Sequence, residues 1–151
     1  MKRLLSALFL IAVAVAADKP DFSGKWKMNP EKSKFGPAPP PTSMTLIVEH
    51  KDPNISVQQS STGPDGEQNI TSKYSTKGKE TINSLMGTEV KSTAAWEGKT
   101  LVIRSTLDGG SGVVKFTSKW TLSADGKTLT DAVNISSPQG DLDLTYVLLK
   151  Q

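Results

Sequence analysis

Short runs of alternating apolar and polar residues, broken every few positions by turn-forming residues, dominate this chain and leave almost no room for helix. Residues 22–28 read Phe-Ser-Gly-Lys-Trp-Lys-Met, which puts Phe22, Gly24, Trp26 and Met28 on one face and Lys25 and Lys27 on the other. Comparable runs follow at 43–50, 54–61, 67–75, 80–86, 88–96, 100–107, 112–123, 128–136 and 140–149. Between them stand Lys51-Asp52-Pro53, Gly63-Pro64-Asp65-Gly66, Glu97-Gly98, Asp108-Gly109-Gly110, Ala124-Asp125-Gly126 and Pro138-Gln139-Gly140, all turn chemistry. The run at 80–86 reads either as a strand or as a helical turn. Strands joined in sequence by tight turns predict an all-β, up-and-down antiparallel meander. Closing it into a barrel of eight to ten strands gives nearly every backbone donor a partner.

The N-terminus reads as a secretory leader. Lys2 and Arg3 precede an apolar stretch from Leu4 to Val15, and small residues gather at Ala14, Ala16 and Ala17. Such a run is short for a membrane span, which needs about 20 apolar residues. The expectation is a signal peptide over 1–17, a single domain over 18–151 and export to the periplasm or extracellular space, with no membrane span after cleavage. Loss of Lys2 and Arg3 moves the formal charge from +3 toward neutrality and leaves Arg104 as the sole arginine. A nearly neutral chain has no general attraction for nucleic acid, so none is expected as a partner. Cysteine is absent, so the domain must stand without disulfides. A monomer is the expected state.

Facing follows from the hairpins. A four-residue loop at Asp125-Gly126 pairs Leu122 with Leu129, Trp120 with Asp131, Ser118 with Val133 and Phe116 with Ile135, all on one face. The Glu97-Gly98 hairpin, read with the same parity, joins Ala94 with Leu101 and Ser92 with Ile103, and sends Lys91 and Arg104 outward. The inner wall then carries large apolar residues with Ser72, Ser92, Ser105 and Ser118 among them. A solid core would fill those positions with bulk. Either the serines border a cavity or they sit at barrel ends with bound water. The candidate ligand-binding set is Leu46, Leu101, Ile103, Phe116, Ser118, Trp120, Asp131 and Tyr146, opening near a proline-rich loop over 30–42 that would serve as lid or spacer.

The segment Asp21-Phe22-Ser23-Gly24-Lys25-Trp26-Lys27-Met28 resembles the first strand of calycin-superfamily barrels, the lipocalins and fatty-acid-binding proteins, in which Phe-x-Gly-x-Trp-Lys is common. Extended through Phe35, it is similar to exported bacterial lipocalin-like proteins. The resemblance implies a lipocalin-like barrel in which Gly24 and Trp26 are structural. The tryptophan would plug the closed end beneath a basic side chain from a late strand, for which Lys150 is the nearest residue. It also implies a small lipophilic or amphiphilic ligand. The 30–42 loop lacks the helix pair that lids fatty-acid-binding proteins.

Catalytic chemistry finds little material. His50 is the one histidine and no nucleophile elbow surrounds any serine, so neither a hydrolytic triad nor an ordinary metal site is assembled. His50, beside the Asp52-Pro53 turn, is read as a rim or surface residue. Asp131 is the one acid expected on an inner face within a strand. It would orient a ligand hydroxyl or amine, act as a base, or simply accept the Trp120 indole. No cofactor, catalytic residue or metal ligand is assigned. Three classes remain: a ligand-binding barrel, a filled barrel serving as a structural or protein-interaction module, and a barrel isomerase or cyclase.

Overall fold

The computed structural model describes residues 18–151; the expected leader over 1–17 lies outside them. Ten strands follow one another: β1 (Gly24–Met28), β2 (Ser43–Lys51), β3 (Asn54–Gly63), β4 (Gly66–Ser75), β5 (Thr81–Leu85), β6 (Thr88–Glu97), β7 (Thr100–Asp108), β8 (Val113–Leu122), β9 (Thr128–Ser137) and β10 (Gly140–Lys150). They form one antiparallel sheet in the order β4-β3-β2-β1-β10-β9-β8-β7-β6-β5. First and last strands are neighbours, with Trp26 beside Lys150 and Met28 beside Leu148. The expected all-β meander is therefore observed, at the upper end of the anticipated strand count.

The ambiguous run at 80–86 is a strand. It pairs with β6 from Thr81–Ser92 to Leu85–Thr88 and turns through Met86 and Gly87, both at positive φ (50° and 81°). Such a turn matches strand twist, but its usual marker is Asn-Gly or Asp-Gly, so Met86 gave no signal. The Asp125 hairpin has the expected register at every named pair. The Glu97 hairpin does not. Glu97 pairs with Thr100 around Gly98-Lys99, which places Ala94 opposite Ile103, Ser92 opposite Ser105 and Trp96 opposite Leu101. The turn is centred one residue later than expected, so each partner moves by two and the facing survives.

Closure is uneven. No ladder joins β4 to β5, and side chains span that seam instead. The Asn83 carboxamide accepts the Lys73 amide at 2.8 Å and donates to the Lys73 carbonyl at 3.1 Å, while Thr81 Oγ1 donates to that carbonyl at 2.7 Å. One amide side chain thus stands in for a peptide of the missing partner strand. Beyond β4 the chain turns back to β6, where Lys77 bridges to Ala95 and the Gly78 amide reaches the Ala94 carbonyl at 2.9 Å.

The end of the barrel near residues 22–26 is plugged. Phe22 and Trp26 have no solvent exposure, and the Trp26 indole donates to the Phe22 carbonyl at 2.9 Å. Lys150 lies over the Trp26 ring at 5.4 Å, the role the resemblance required of a late basic residue. Gly24 makes this approach feasible. Its φ is +137°, and a Cβ there would stand 3.0 Å from Lys150 Cε. Phe22 also stacks on His50 and Trp96 and meets Trp120 edge-on.

His50 corrects the sequence reading. Its side chain is 4% exposed, not at the surface. The Phe22 amide donates to Nδ1 at 3.2 Å, which leaves the ring proton on Nε2 to donate to Asp52 at 3.2 Å. The same Asp52 oxygen accepts from Thr76 Oγ1 and Trp96 Nε1. Desolvation works against the Asp52 charge, yet these donors together hold its pKa below the ordinary value. Asp52, two residues after His50, thus collects donors from the His50, Thr76 and Trp96 side chains.

Replacing Trp26 by alanine is expected to cost about 3–5 kcal/mol in urea unfolding, the usual range for emptying a buried aromatic site. Asn83→Ala should leave the fold in place while speeding amide exchange at Lys73 selectively, because the seam then has only Thr81 to hold it. Unchanged Lys73 exchange would show that the carboxamide bridge is not what protects the seam.

Candidate functional site

Above the plug the barrel is hollow. A cavity of about 260 Å³ lies between β2, β3 and β4 on one side and β7 through β10 on the other. Leu46, Ile103, Phe116, Ser118, Trp120, Asp131 and Tyr146 all line it. A second space of about 210 Å³ shares Gln59, Ile70, Ser72, Tyr74 and Phe116 with the first and extends to Asn83 and Leu85 at the β4–β5 seam. A third, of about 230 Å³, sits where Pro39 and Pro41 face Met44, Gln59 and Tyr146. The proline loop therefore borders the mouth.

Anchors hold that loop in place. Lys34 forms a two-way backbone bridge with Thr145 at 2.8 Å, extending the line of β1 along β10. The Thr42 amide reaches the Thr62 carbonyl at 2.7 Å on the far side. Phe35 packs edge-on against Tyr146, 5.7 Å between ring centres. With both ends tied and its prolines restricting φ, the segment is a stiff rim.

Leu101, expected at the cavity, is not part of its wall. It has no exposure and lies opposite Trp96 and Trp120 within the plugged end. The hairpin register explains this: pairing with Trp96 puts Leu101 one step above the turn, where aromatic side chains fill the barrel. The remaining candidates come together at the cavity. Met44, Val57, Gln59, Ile70 and Tyr74 were missed as wall residues. Parity across the Gly63–Gly66 hairpin carried the signal, since it pairs Gln59 with Ile70 and Val57 with Ser72 on the inner face. Two of the inward serines satisfy each other, Ser92 and Ser105 at 2.7 Å.

Asp131 is the chemical centre of the cavity. It occupies one inner row with Trp120 on β8 and Tyr146 on β10, its two cross-strand neighbours. Its partial exposure is toward the cavity, and Oδ1 is sealed from solvent with no hydrogen-bond partner. The Trp120 indole N–H is likewise buried and unpartnered. Desolvation pushes the Asp131 pKa up to about 7, against a smaller opposing pull from Trp120 and Ser118, which stand close without hydrogen-bond geometry. Burial also raises the hydroxyl pKa of Tyr74 and of Tyr146, and the facing Asp131 charge adds to both. Among the described residues no group of His, Cys, Asp and Glu is arranged to hold a metal ion. No described helix is long and apolar enough to cross a membrane.

No family model and no curated protein matches the sequence. Solved structures do match. Zebrafish ileal bile acid-binding protein, crystallised with cholic acid, superposes with a TM-score of 0.61 at 18% identity, covering 86% of this chain and 98% of its own. A secretory abundant heat soluble protein of Ramazzottius varieornatus gives 0.63 at 14% identity over 85% of this chain and 94% of its own. Secretory abundant heat soluble protein 4 of that organism gives 0.55 at 16% identity, covering 86% and 94%. What the chain shares with these structures is the fold, a nearly closed antiparallel β-barrel, and the likeness at this identity concerns the fold alone.

Asp131→Asn should change the pH dependence of stability. An acid whose pKa rises from 3.8 unfolded to about 7 folded loses stability as pH rises through that interval, because the unfolded chain ionises first. Relative to the asparagine variant, the wild type should lose up to about 4 kcal/mol between about pH 4 and about pH 8 in urea titrations. Parallel curves for the two proteins would mean that Asp131 titrates normally.

Proposed function

We propose that this chain is an exported binding protein which holds a small lipophilic or amphiphilic molecule inside its barrel. The observation that carries the reading is the hollow interior: a cavity of about 260 Å³ with apolar walls and a few inward polar groups, reached under a stiff proline rim. Apolar burial supplies affinity at about 25 cal/mol per Å², and isolated polar groups set orientation. The cholic acid complex of a barrel with the same fold supports such a use of the interior. Export is supported by the leader-like composition of residues 1–17.

A filled interaction module fits less well, because its premise is a packed interior. The isomerase or cyclase reading draws on one observation, the placement of Asp131 among Ser118, Tyr74 and Tyr146 at the cavity wall. It requires turnover of a bound substrate, whereas the binding reading requires retention.

Native mass spectrometry of the protein taken from the medium or periplasm of its own host tests both halves of the proposal. The expected species lacks the leader and carries lipid-sized added mass. Val133→Trp supplies the control, since it fills the cavity wall from β9 and should abolish uptake of an apolar fluorescent probe while the strand circular dichroism persists. Undiminished probe uptake by that variant would place binding outside the barrel.

A further inference from the structure

Three features of the cavity wall define the kind of head group it accepts. The first is the Asp131 Oδ1 acceptor, buried and without a partner. The second is the aromatic setting, Trp120 on one side in the ladder and Tyr146 on the other, with Tyr74 facing across. The third is charge. Among the described residues lining the cavity and its seam extension, Asp131 is the sole charged side chain, and no lysine, arginine or histidine reaches it.

An anionic head group would meet a carboxylate with no counter-charge, which a low-dielectric wall makes costly. A cation meets the reverse. It neutralises Asp131 and gives Oδ1 the donor it lacks, beside the aromatic side chains of Trp120, Tyr146 and Tyr74. The Trp120 N–H and the Ser118 hydroxyl, close by on β8, favour the ionised carboxylate. We infer that the cavity selects amphiphiles with an ammonium head, which docks on Asp131 between Trp120 and Tyr146 while the apolar tail extends along Phe116 and Ile103. This rests on the binding reading above and names the ligand class for that site.

Proton linkage follows from the same arrangement. The groups facing Asp131 are Trp120 and Ser118 from β8, Tyr146 from β10 and Tyr74 from β4. Neither tyrosine, with its pKa raised by burial, ionises near neutrality, so Asp131 alone titrates there. Binding of a cation requires the ionised carboxylate, and affinity should fall as the acid protonates below about pH 7.

Calorimetric titration with decylamine, decanol and decanoate, which share one tail, separates the cases. At about pH 8, decylamine should bind at least about tenfold more tightly than either other probe, as expected for a desolvated charge pair. Lowering the pH to about 6 should weaken decylamine about tenfold and leave decanol unchanged. Asp131→Asn should bring decylamine down to the affinity of decanol, with unchanged decanol binding showing that the barrel is intact. If that variant fails to fold, the wild-type pH series decides alone. Decanoate or decanol binding as tightly as decylamine overturns the inference and leaves the binding reading standing, as does decylamine affinity indifferent to pH. Absence of binding by all three probes removes the binding reading itself.

Discussion

Barrel closure depends on Trp26, a side chain near the start of the chain that is completed only by its end. Its indole donates back to Phe22, and the Lys150 ammonium covers its ring from the last strand. Pairing of β1 with β10 brings these residues together, and Gly24 leaves the space through which Lys150 passes. Aromatic burial stabilises the sheet at the point where its first and last strands meet, so the hydrophobic term and the β1–β10 ladder act on one place. Phe22, His50, Trp96 and Trp120 extend the plug across the barrel floor.

Concentrating the aromatic mass at one end leaves the other end under-filled. Above the floor the wall alternates leucine, isoleucine and phenylalanine with Ser72, Ser118 and Gln59, and these do not meet in the middle. Such a void forgoes dispersion contacts that a packed core would gain. Asp131 adds a second cost, a carboxyl whose ionisation is penalised by burial and whose Oδ1 lacks a partner. Both departures from stable packing fall at one place, the cavity wall.

The two tied-down edges differ in kind. On the β1 side the gap along β10 is filled by backbone, through Lys34 and Thr145. At the β4–β5 seam it is filled by the Asn83 carboxamide and the Thr81 hydroxyl. Side-chain bridges lack the cooperativity of a continuous ladder, so the seam is the weaker line of the wall. The cavity extension ending at Asn83 and Leu85 lies directly behind it.

Local patterning determined most of the fold. Period-two alternation and the turn residues place nine of the ten strands, the run at 80–86 having read equally as a helical turn, and the Asp125-Gly126 turn alone puts Phe116, Ser118, Trp120 and Asp131 in one inward row, because side chains opposed across a tight hairpin must share a face. The plug was implied only by the resemblance that the Phe-x-Gly-x-Trp segment carries. Contacts between distant segments were decided only by the tertiary structure. Nothing near His50 in the chain indicates that Phe22 and Trp96 will enclose it, and nothing near Leu101 says whether it borders the cavity or the floor. Asn83 as a substitute strand, and Tyr74 as a neighbour of the Asp131 charge, depend on how far the sheet curls before it closes. Alternation specifies which face a residue takes, whereas its depth along the barrel depends on register summed over all the strands, and a shift of two at one turn preserves the face while changing the neighbour.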